Sequence, residues 1–476
     1  MRTRPILQLT LSALAMSLAS CSDAHAQNSV SSASSGAAQI SSQSESRKAK
    51  NVILFIGDGM GVSTVTAMRI YAGQKRGMSG EEYVLPFEKF DNVALVKTYN
   101  VDAQVPDSAG TATAMHSGQK TNIGYLGIGP GAARANCESG KQHHLPLLGE
   151  EAKKRGLAVG IVSTARITHA TPASVYARTT ERNWEVDAWI DESQRDLGCR
   201  DIARQLIDFD FDVALGGGLA PFYGSAVGGA RLNSSDDLPT EWVKRRRGNF
   251  VVDSASLAAA PLNRPLLGLF APSHMGWVAE RTPDSKEPTL TQMTQAAVQR
   301  LARDRDGYYL MVESGKIDHG HHAGRAGLAL EEAVEFANAI QWAVDNTDPR
   351  ETLILVTADH SHVFTIAGYP RRGNDILGLV VPPPGAGEEV AQASLATDGK
   401  PYTTLGYANG PGAIVGERVT PETGVGATQQ AAIAMDSETH GGEDVALYAN
   451  GPGAEKARGV IEQDVIYDII TSAYGW

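Results

Sequence analysis

The chain has 476 residues, with 42 Lys and Arg against 54 Asp and Glu, a formal net charge of -12. Its apolar fraction of 42% and mean hydropathy of -0.20 exclude a disordered chain and allow a sizeable buried core. The acidic balance argues against nucleic acid as a partner, because polyanion binding needs a Lys/Arg-rich surface. The short basic run from Lys244 to Arg247 reads as a solvated helix face. The length allows three domains, but one large α/β domain with insertions fits equally.

In chain order, Arg2 and Arg4 precede an apolar run from Ile6 to Leu18, the form of a secretory leader. The run is too short to span a bilayer, which takes about 20 residues. Two processing sites compete. Leu18-Ala19-Ser20-Cys21 resembles a bacterial lipobox, which would leave a lipid anchor on Cys21; Ala24-His25-Ala26 resembles an ordinary cleavage site. Either makes the mature protein an exported one, in the periplasm or as an outer-membrane lipoprotein. Residues 1–26 are therefore read as leader, and 27–48, rich in Ser, Ala and Gln, as a flexible tether. Export also changes the cysteine arithmetic. With Cys21 removed or acylated, Cys137 and Cys199 remain, and in an oxidising compartment an even pair is expected to bridge. The alternative is two buried free thiols.

Short apolar runs at Val52–Ile56, Ala158–Val162, Tyr308–Val312 and Thr352–Val356 predict buried parallel strands. Helical patterns lie between them. The clearest runs from Gly324 to about Val344, with Leu328, Leu330, Val334, Ala337 and Ile340 on one stripe. This alternation predicts an α/β fold, a mostly parallel central sheet flanked by helices on both faces. Residues 49–476 form that domain. From about 370 to 430 the texture turns to Pro, Gly and short alternating segments, read as an insertion projecting from the sheet's edge.

Ligands of such sheets sit beyond the carboxyl ends of the strands, and there the polar clusters fall. Gly57-Asp58-Gly59-Met60-Gly61 follows the first strand, Glu313 the third, and Asp359-His360 the fourth. Seven of the twelve histidines lie in four short blocks, at 169, 319/321/322, 360/362 and 440, each with Asp, Glu or Thr beside it. One histidine alone is usually a satisfied core or loop residue, and Asp58 or Asp359 alone could cap a helix. Four blocks at strand ends together predict a multi-metal hydrolase. Asp and His four residues apart, as in Asp318 and His322, can wrap one cation. Mixed Asp/His sets with an open position are typical of catalytic zinc. An all-oxygen set such as Asp58, Thr171 and Glu313 suits magnesium. The nucleophile candidate is Ser108, followed by small residues that read as a helix start. It would meet the N–H groups and dipole that favour an anion there, or serve only as a cap. No His-Asp pair stands near it in sequence, so its activation would fall to a metal.

With these blocks in place, the chain closely resembles the alkaline phosphatase family, and its animal-type branch in particular, over residues 49–475. The motifs are Asn51–Gly61, Asp107–Ala112, Thr168–Ala173, Glu313–His322, Val356–Phe364 and Glu438–Val445, in matching order and spacing. The resemblance implies two Zn2+ and one Mg2+. One zinc would be held by Asp318, His322 and His440, the second by Asp58, Asp359 and His360, and magnesium by Asp58, Thr171 and Glu313. Arg182 matches the arginine that grips phosphate, oriented by Asp107. His169 and His319 fall beside the magnesium site, where branches of the family differ. Cys137 and Cys199 match a disulfide of the animal branch, segment 370–430 a crown insertion, and a homodimer is implied. The departure is at the calcium site of animal enzymes. Ala271 stands where that branch has a glutamate, the loop after Gly216-Gly217-Gly218 is shortened, and only Glu287 could replace another ligand, so calcium is not expected. The activity implied is hydrolysis of small phosphate monoesters through a phosphoserine. The alternatives are a phosphodiesterase or sulfatase of the same superfamily, or a non-catalytic metal-binding surface lipoprotein.

Overall fold

The computed structural model describes residues 48–386 and 391–476. The leader and nearly all of the tether, including Cys21, lie outside the described residues. Among the described residues the fifteen strands are β1 (Asn51–Gly57), β2 (Asn92–Lys97), β3 (Ala158–Arg166), β4 (Val213–Gly217), β5 (Asn249–Val251), β6 (Leu266–Leu269), β7 (Tyr308–Ser314), β8 (Thr352–Ala358), β9 (Ser361–His362), β10 (Phe364–Ile366), β11 (Leu405–Gly410), β12 (Ala431–Ala434), β13 (His440–Gly441), β14 (Val445–Asn450) and β15 (Gly459–Glu462). Ten of them form one sheet in the order β15-β2-β14-β8-β1-β7-β3-β4-β6-β5. Every pairing in it is parallel except those of β14, which runs against β2 and β8.

The four sequence-predicted strands are β1, β3, β7 and β8, the centre of that sheet. β7 and β8 are buried at every position, as the continuous apolar runs require of strands covered on both faces. Two groups of helices cover them. Val62–Gln74, Leu290–Leu301 and Ala326–Asn346 pack together, and Ser108–Ser117, Leu148–Lys154, Ala170–Ala173 and Val465–Tyr474 form the other group. The long helix starts at Ala326, two residues after the predicted Gly324, because Arg325 has a non-helical backbone (φ -112°, ψ 79°). Its stripe of Leu328, Leu330, Val334, Ala337 and Ile340 is buried, and Phe336 meets Phe55 of β1 edge-on at 5.9 Å. Each such side chain is worth roughly 1.5–3 kcal/mol relative to exposure. The basic run does lie on a helix, Leu238–Arg246, where Arg245 and Arg246 pair with Asp208 and Asp210.

Residues 370–430 contribute β11, which pairs antiparallel with β10 and parallel with β12 in a separate three-stranded sheet. A two-stranded ribbon, β9 with β13, sets His440 opposite His362. The sheet register does the same for the other blocks: Ile56 pairs with Glu313 and Thr357, and Ser163 with Glu313. The carboxyl ends of β1, β7 and β8 therefore finish level, with Ser163 of the longer β3 beside Glu313.

Candidate metal centre and nucleophile

Asp58 follows β1 in a turn that only glycine can continue. Gly59 has φ +69°, and a Cβ on it would lie 2.3 Å from His362 Nε2. The turn is closed by Gly59 N–H, which donates to Asp359 Oδ1 at 2.9 Å. Asp58, Asp359 and His360 are fully buried and offer ligand atoms within 4.8 Å of one another. His360 Nε2 stands 3.4 Å from Asp58 Oδ1, 3.2 Å from Asp359 Oδ2 and 3.2 Å from Ser108 Oγ. Asp318 and His322 face each other one turn apart on the helix Lys316–His322, with Asp318 Oδ1 to His322 Nε2 at 3.2 Å. His440 Nε2 reaches Asp318 Oδ1 at 3.4 Å and His322 Nε2 at 3.1 Å. Thr171 and Glu313 lie beside Asp58, and His169 offers a ring nitrogen within the same reach of Asp58 and Glu313.

Two of the imidazoles are turned by distant backbone carbonyls. His322 Nδ1 donates to Glu438 O at 2.6 Å and His440 Nδ1 to Pro106 O at 2.8 Å. This fixes the tautomer and leaves Nε2 as the free lone pair pointing inward. The oxygens wait in the same manner. Both Asp58 carboxylate oxygens, Thr171 Oγ1, Glu313 Oε1 and Asp359 Oδ2 are buried with no hydrogen-bond partner. Buried polar groups are ordinarily paired, so this set of orphaned hard oxygens and aimed imidazoles fits divalent cations.

The charges agree. Burial first, then Asp359, Asp318 and Glu313, push the Asp58 carboxyl well above its ordinary range. Burial likewise raises Asp359, and drives Glu313 up to about 7. Burial alone would raise Asp318, but His322, His362 and His440 outweigh it and hold it well below. Carboxyls crowded in this way fit a site that cations would share.

Ser108 is the first residue of the helix Ser108–Ser117, buried, with Asp107 as its cap. Asp107 accepts from Gly110 N–H, Gly124 N–H, Asn100 Nδ2 and Arg182 Nη1, all between 2.9 and 3.1 Å. Burial would raise its carboxyl, but Arg182 and the two peptide N–H groups outweigh that and hold it low. The other arm of Arg182 donates to His169 Nε2 at 3.0 Å. His319 lies further out, its ring centroid 6.0 Å from His169 and 4.2 Å from His274. Cys137 and Cys199 are joined in a disulfide, with Cα atoms 5.6 Å apart.

The nucleophile candidate, the arginine and every predicted ligand thus meet in one place. The chain belongs to the alkaline phosphatase family. The sequence profile of that family, described as alkaline phosphatase, matches residues 49–475. The tissue-nonspecific alkaline phosphatase of Gallus gallus is 44% identical over 443 residues, covering 88% of this chain and 83% of the relative. An alkaline phosphatase of Gadus morhua is 41% identical over 442 residues, 88% of this chain and 90% of that one. Among solved structures, alkaline phosphatase from Thermus thermophilus superposes with TM-score 0.66 at 23% identity, covering 90% and 92% of the two chains. That from the Antarctic bacterium TAB5 gives 0.62 at 24%, covering 90% and 99%. The chain is therefore a hydrolase of this family with the family's α/β fold.

Several residues at the site were given no role by the sequence, although His321 and His362 stand in its histidine blocks. His362 is buried between Asp318 Oδ1 (2.9 Å from Nε2) and Glu438 Oε2 (2.5 Å from Nδ1). Burial alone would lower its pKa, but these two carboxylates pull it up to about 9. His321 joins Thr64 Oγ1 (3.0 Å) to Tyr407 OH (2.9 Å), tying β11 to the ligand helix. His274 packs on His169 and His319 and meets Arg166. His362 carried a signal, being two residues from a ligand in an alternating strand. Glu438 stood only as the first residue of a family motif, and His274 and Tyr407 carried no signal, because only the fold brings them near.

Proposed function

We propose that this chain hydrolyses small phosphate monoesters with Ser108 as nucleophile, through a phosphoserine. The observation that carries the reading is Ser108 Oγ, at a helix N-terminus, 3.2 Å from the Nε2 of His360. Two zinc ions would be held by Asp318, His322 and His440, and by Asp58, Asp359 and His360. Magnesium would be held by Asp58, Thr171 and Glu313, with His169 and His319 beside it. When bound, such cations supply Lewis acidity that lowers the pKa of the serine hydroxyl and offsets phosphoryl charge. Four carboxylates against three divalent ions leave the pocket net positive in an acidic chain.

The chain's own groups do the rest. Asp107 holds Arg182 so that its remaining N–H groups can fork onto two phosphate oxygens. The first N–H groups of the helix at Ser108 face the same anion. Ser108 Oγ bonds to phosphorus as the ester oxygen leaves with its alcohol. Water then displaces Ser108 and releases phosphate. Each contact named is to phosphate, so specificity for the alcohol is broad.

Two in-line displacements give net retention at phosphorus. A chiral phosphate ester hydrolysed with inversion would overturn the serine route. Ser108→Ala should lose activity by about a thousandfold or more while keeping its metals. Turnover of an aryl monophosphate far above a bis-aryl phosphate or an aryl sulfate is expected; the reverse order would favour a diesterase or sulfatase.

Export is part of the same proposal. Residues 1–26 are the leader, 27–48 the tether, 49–476 the catalytic domain with its insertion at about 370–430. The bridged Cys137–Cys199 pair supports an oxidising compartment, the periplasm or the outer membrane if Cys21 is lipidated. No helix among the described residues is long and apolar enough to cross a membrane. A homodimer is the family expectation.

A further inference from the structure

Beyond Asp107, one more device governs the aim of Arg182. Gly124 is bonded to both members of that pair. Its N–H donates to the two Asp107 oxygens at 3.1 Å each, and its carbonyl accepts from Arg182 N–H at 2.9 Å. Gly124 is held in the left-handed region, φ +76°, and a Cβ there would lie 2.1 Å from the Arg134 guanidinium. Arg134 therefore lies directly across this peptide. Its Nε donates to Glu181 Oε2 at 2.8 Å, its Nη2 pairs with the same oxygen at 2.8 Å, and its Nη1 donates to Ile123 O. Glu181 is the residue before Arg182. Its other carboxylate oxygen accepts from Asn183 N–H at 3.0 Å, and Thr179 Oγ1 bonds its backbone on both sides. The bend that carries Arg182 is thus braced by the Glu181 side chain, and that side chain is held by Arg134.

Backbone bonds run alongside. Leu126 and Thr179 exchange two, at 3.0 and 2.9 Å, and Ala135 N–H donates to Thr180 O at 3.1 Å. They join the two segments, and at the tip the ion pair acts beside the Thr179 Oγ1 bonds and the Arg182–Gly124 backbone bond.

We infer that the Arg134–Glu181 pair is a latch that sets the orientation of the phosphate-gripping arginine, making Arg134 and Glu181 positioning residues for substrate and product binding. The inference rests on the proposed role of Arg182. Arg134 is turned toward Ile123 and Glu181 by contacts from its Nε, Nη1 and Nη2. Opening the latch would free the Glu181 bend and let Arg182 sample orientations that cannot fork onto phosphate. Ground-state and product binding should then weaken together, while Ser108 and the metal ligands stay in place.

The test uses the full-length, metal-loaded enzyme and four variants: Arg134→Ala, Arg134→Lys, the near-isosteric Glu181→Gln, and Arg182→Ala. KM and kcat for an aryl monophosphate, inhibition by inorganic phosphate, and zinc content are measured on each. Arg134→Ala and Glu181→Gln should raise KM and the inhibition constant of phosphate by about fivefold, the scale of a partly exposed ion pair. In both, kcat stays within about twofold of wild type and zinc content is unchanged. Arg134→Lys should recover part of the loss, and the double variant Arg134→Ala with Glu181→Gln should be no worse than either single one. Phosphate inhibition that is unchanged in both latch variants, while Arg182→Ala weakens it, overturns the latch alone. Phosphate inhibition unchanged in Arg182→Ala overturns the reading of Arg182. Loss of kcat and zinc in the latch variants with phosphate inhibition preserved shows a merely structural role and also overturns the inference.

Discussion

His362→Ala tests the electrostatic account of the site most directly. The imidazole lies fully inside the protein, between Asp318 Oδ1 and Glu438 Oε2 at 2.9 and 2.5 Å. Its pKa of about 9 makes it the cation that these two buried carboxylates share. Removing it leaves Glu438 with its bond from Val363 N–H and Asp318 with His322 and His440 alone. Breaking a buried pair by deleting one partner costs about 3–5 kcal/mol. Part of that cost is recovered if water enters the vacated ring volume. At the metal ligand itself, loss of an outer partner costs roughly 10–100-fold in affinity, or about 1.4–2.7 kcal/mol. The expected outcome is a zinc affinity lowered by that factor in chelator competition, and a lower thermal midpoint with or without metal. His362→Gln, which can still donate one hydrogen bond, should fall between. Zinc affinity in His362→Ala within about threefold of wild type, inside the lower bound for an outer partner, would refute the idea that this side chain orients Asp318.

Three further outcomes follow from the structure. Glu313→Gln should raise the thermal midpoint of the metal-free protein, because it removes one of three crowded buried carboxyls, yet abolish the gain on adding Mg2+; a lower apoprotein midpoint would contradict this. Reducing the Cys137–Cys199 bridge opens a loop with sequence separation 62, which the chain-entropy account values at about 4 kcal/mol; a midpoint drop of about 5 °C is expected by calorimetry. His116 is buried, bonded to Ala112 O, Ser174 Oγ and Tyr309 OH, and burial lowers its pKa to about 4. Its folded pKa lies below its unfolded value of 6.5, so its stabilising contribution is complete above pH 6.5 and lost as pH falls toward 4. The full loss is about 3 kcal/mol. His116→Gln should therefore show a shallower acid dependence in denaturant unfolding than wild type, and parallel curves would disprove the assignment.

Much of the site was legible in the sequence because its ligands are local. Asp58 ends a strand in a Gly-rich turn, Asp318 and His322 sit one helical turn apart, and Asp359 and His360 are adjacent. Such spacings fix which side chains can share an ion before any tertiary contact forms. His440 stood out as one of the four polar blocks, but its partnership with Asp318 and His322 came only from the resemblance, since nothing in its neighbourhood says that a ribbon will set it against His362. Tyr407 and His274 had no local signal at all. Arg134 and Glu181 belong to no motif, and they are related only through a glycine ten residues away from one and 57 from the other.

Strand periodicity, helix stripe and ligand spacing depend on neighbours within one turn or one strand. The sequence alone therefore determined the α/β architecture, the sheet's central strands and the chemistry of the four polar blocks. The level register of β1, β7 and β8, the turn of His322 and His440 by distant carbonyls, and the buried Asp318–His362–Glu438 chain depend on pairings dozens to hundreds of residues apart. Those the tertiary structure decided, because hydrogen-bond direction and shared burial exist only once the strands are side by side.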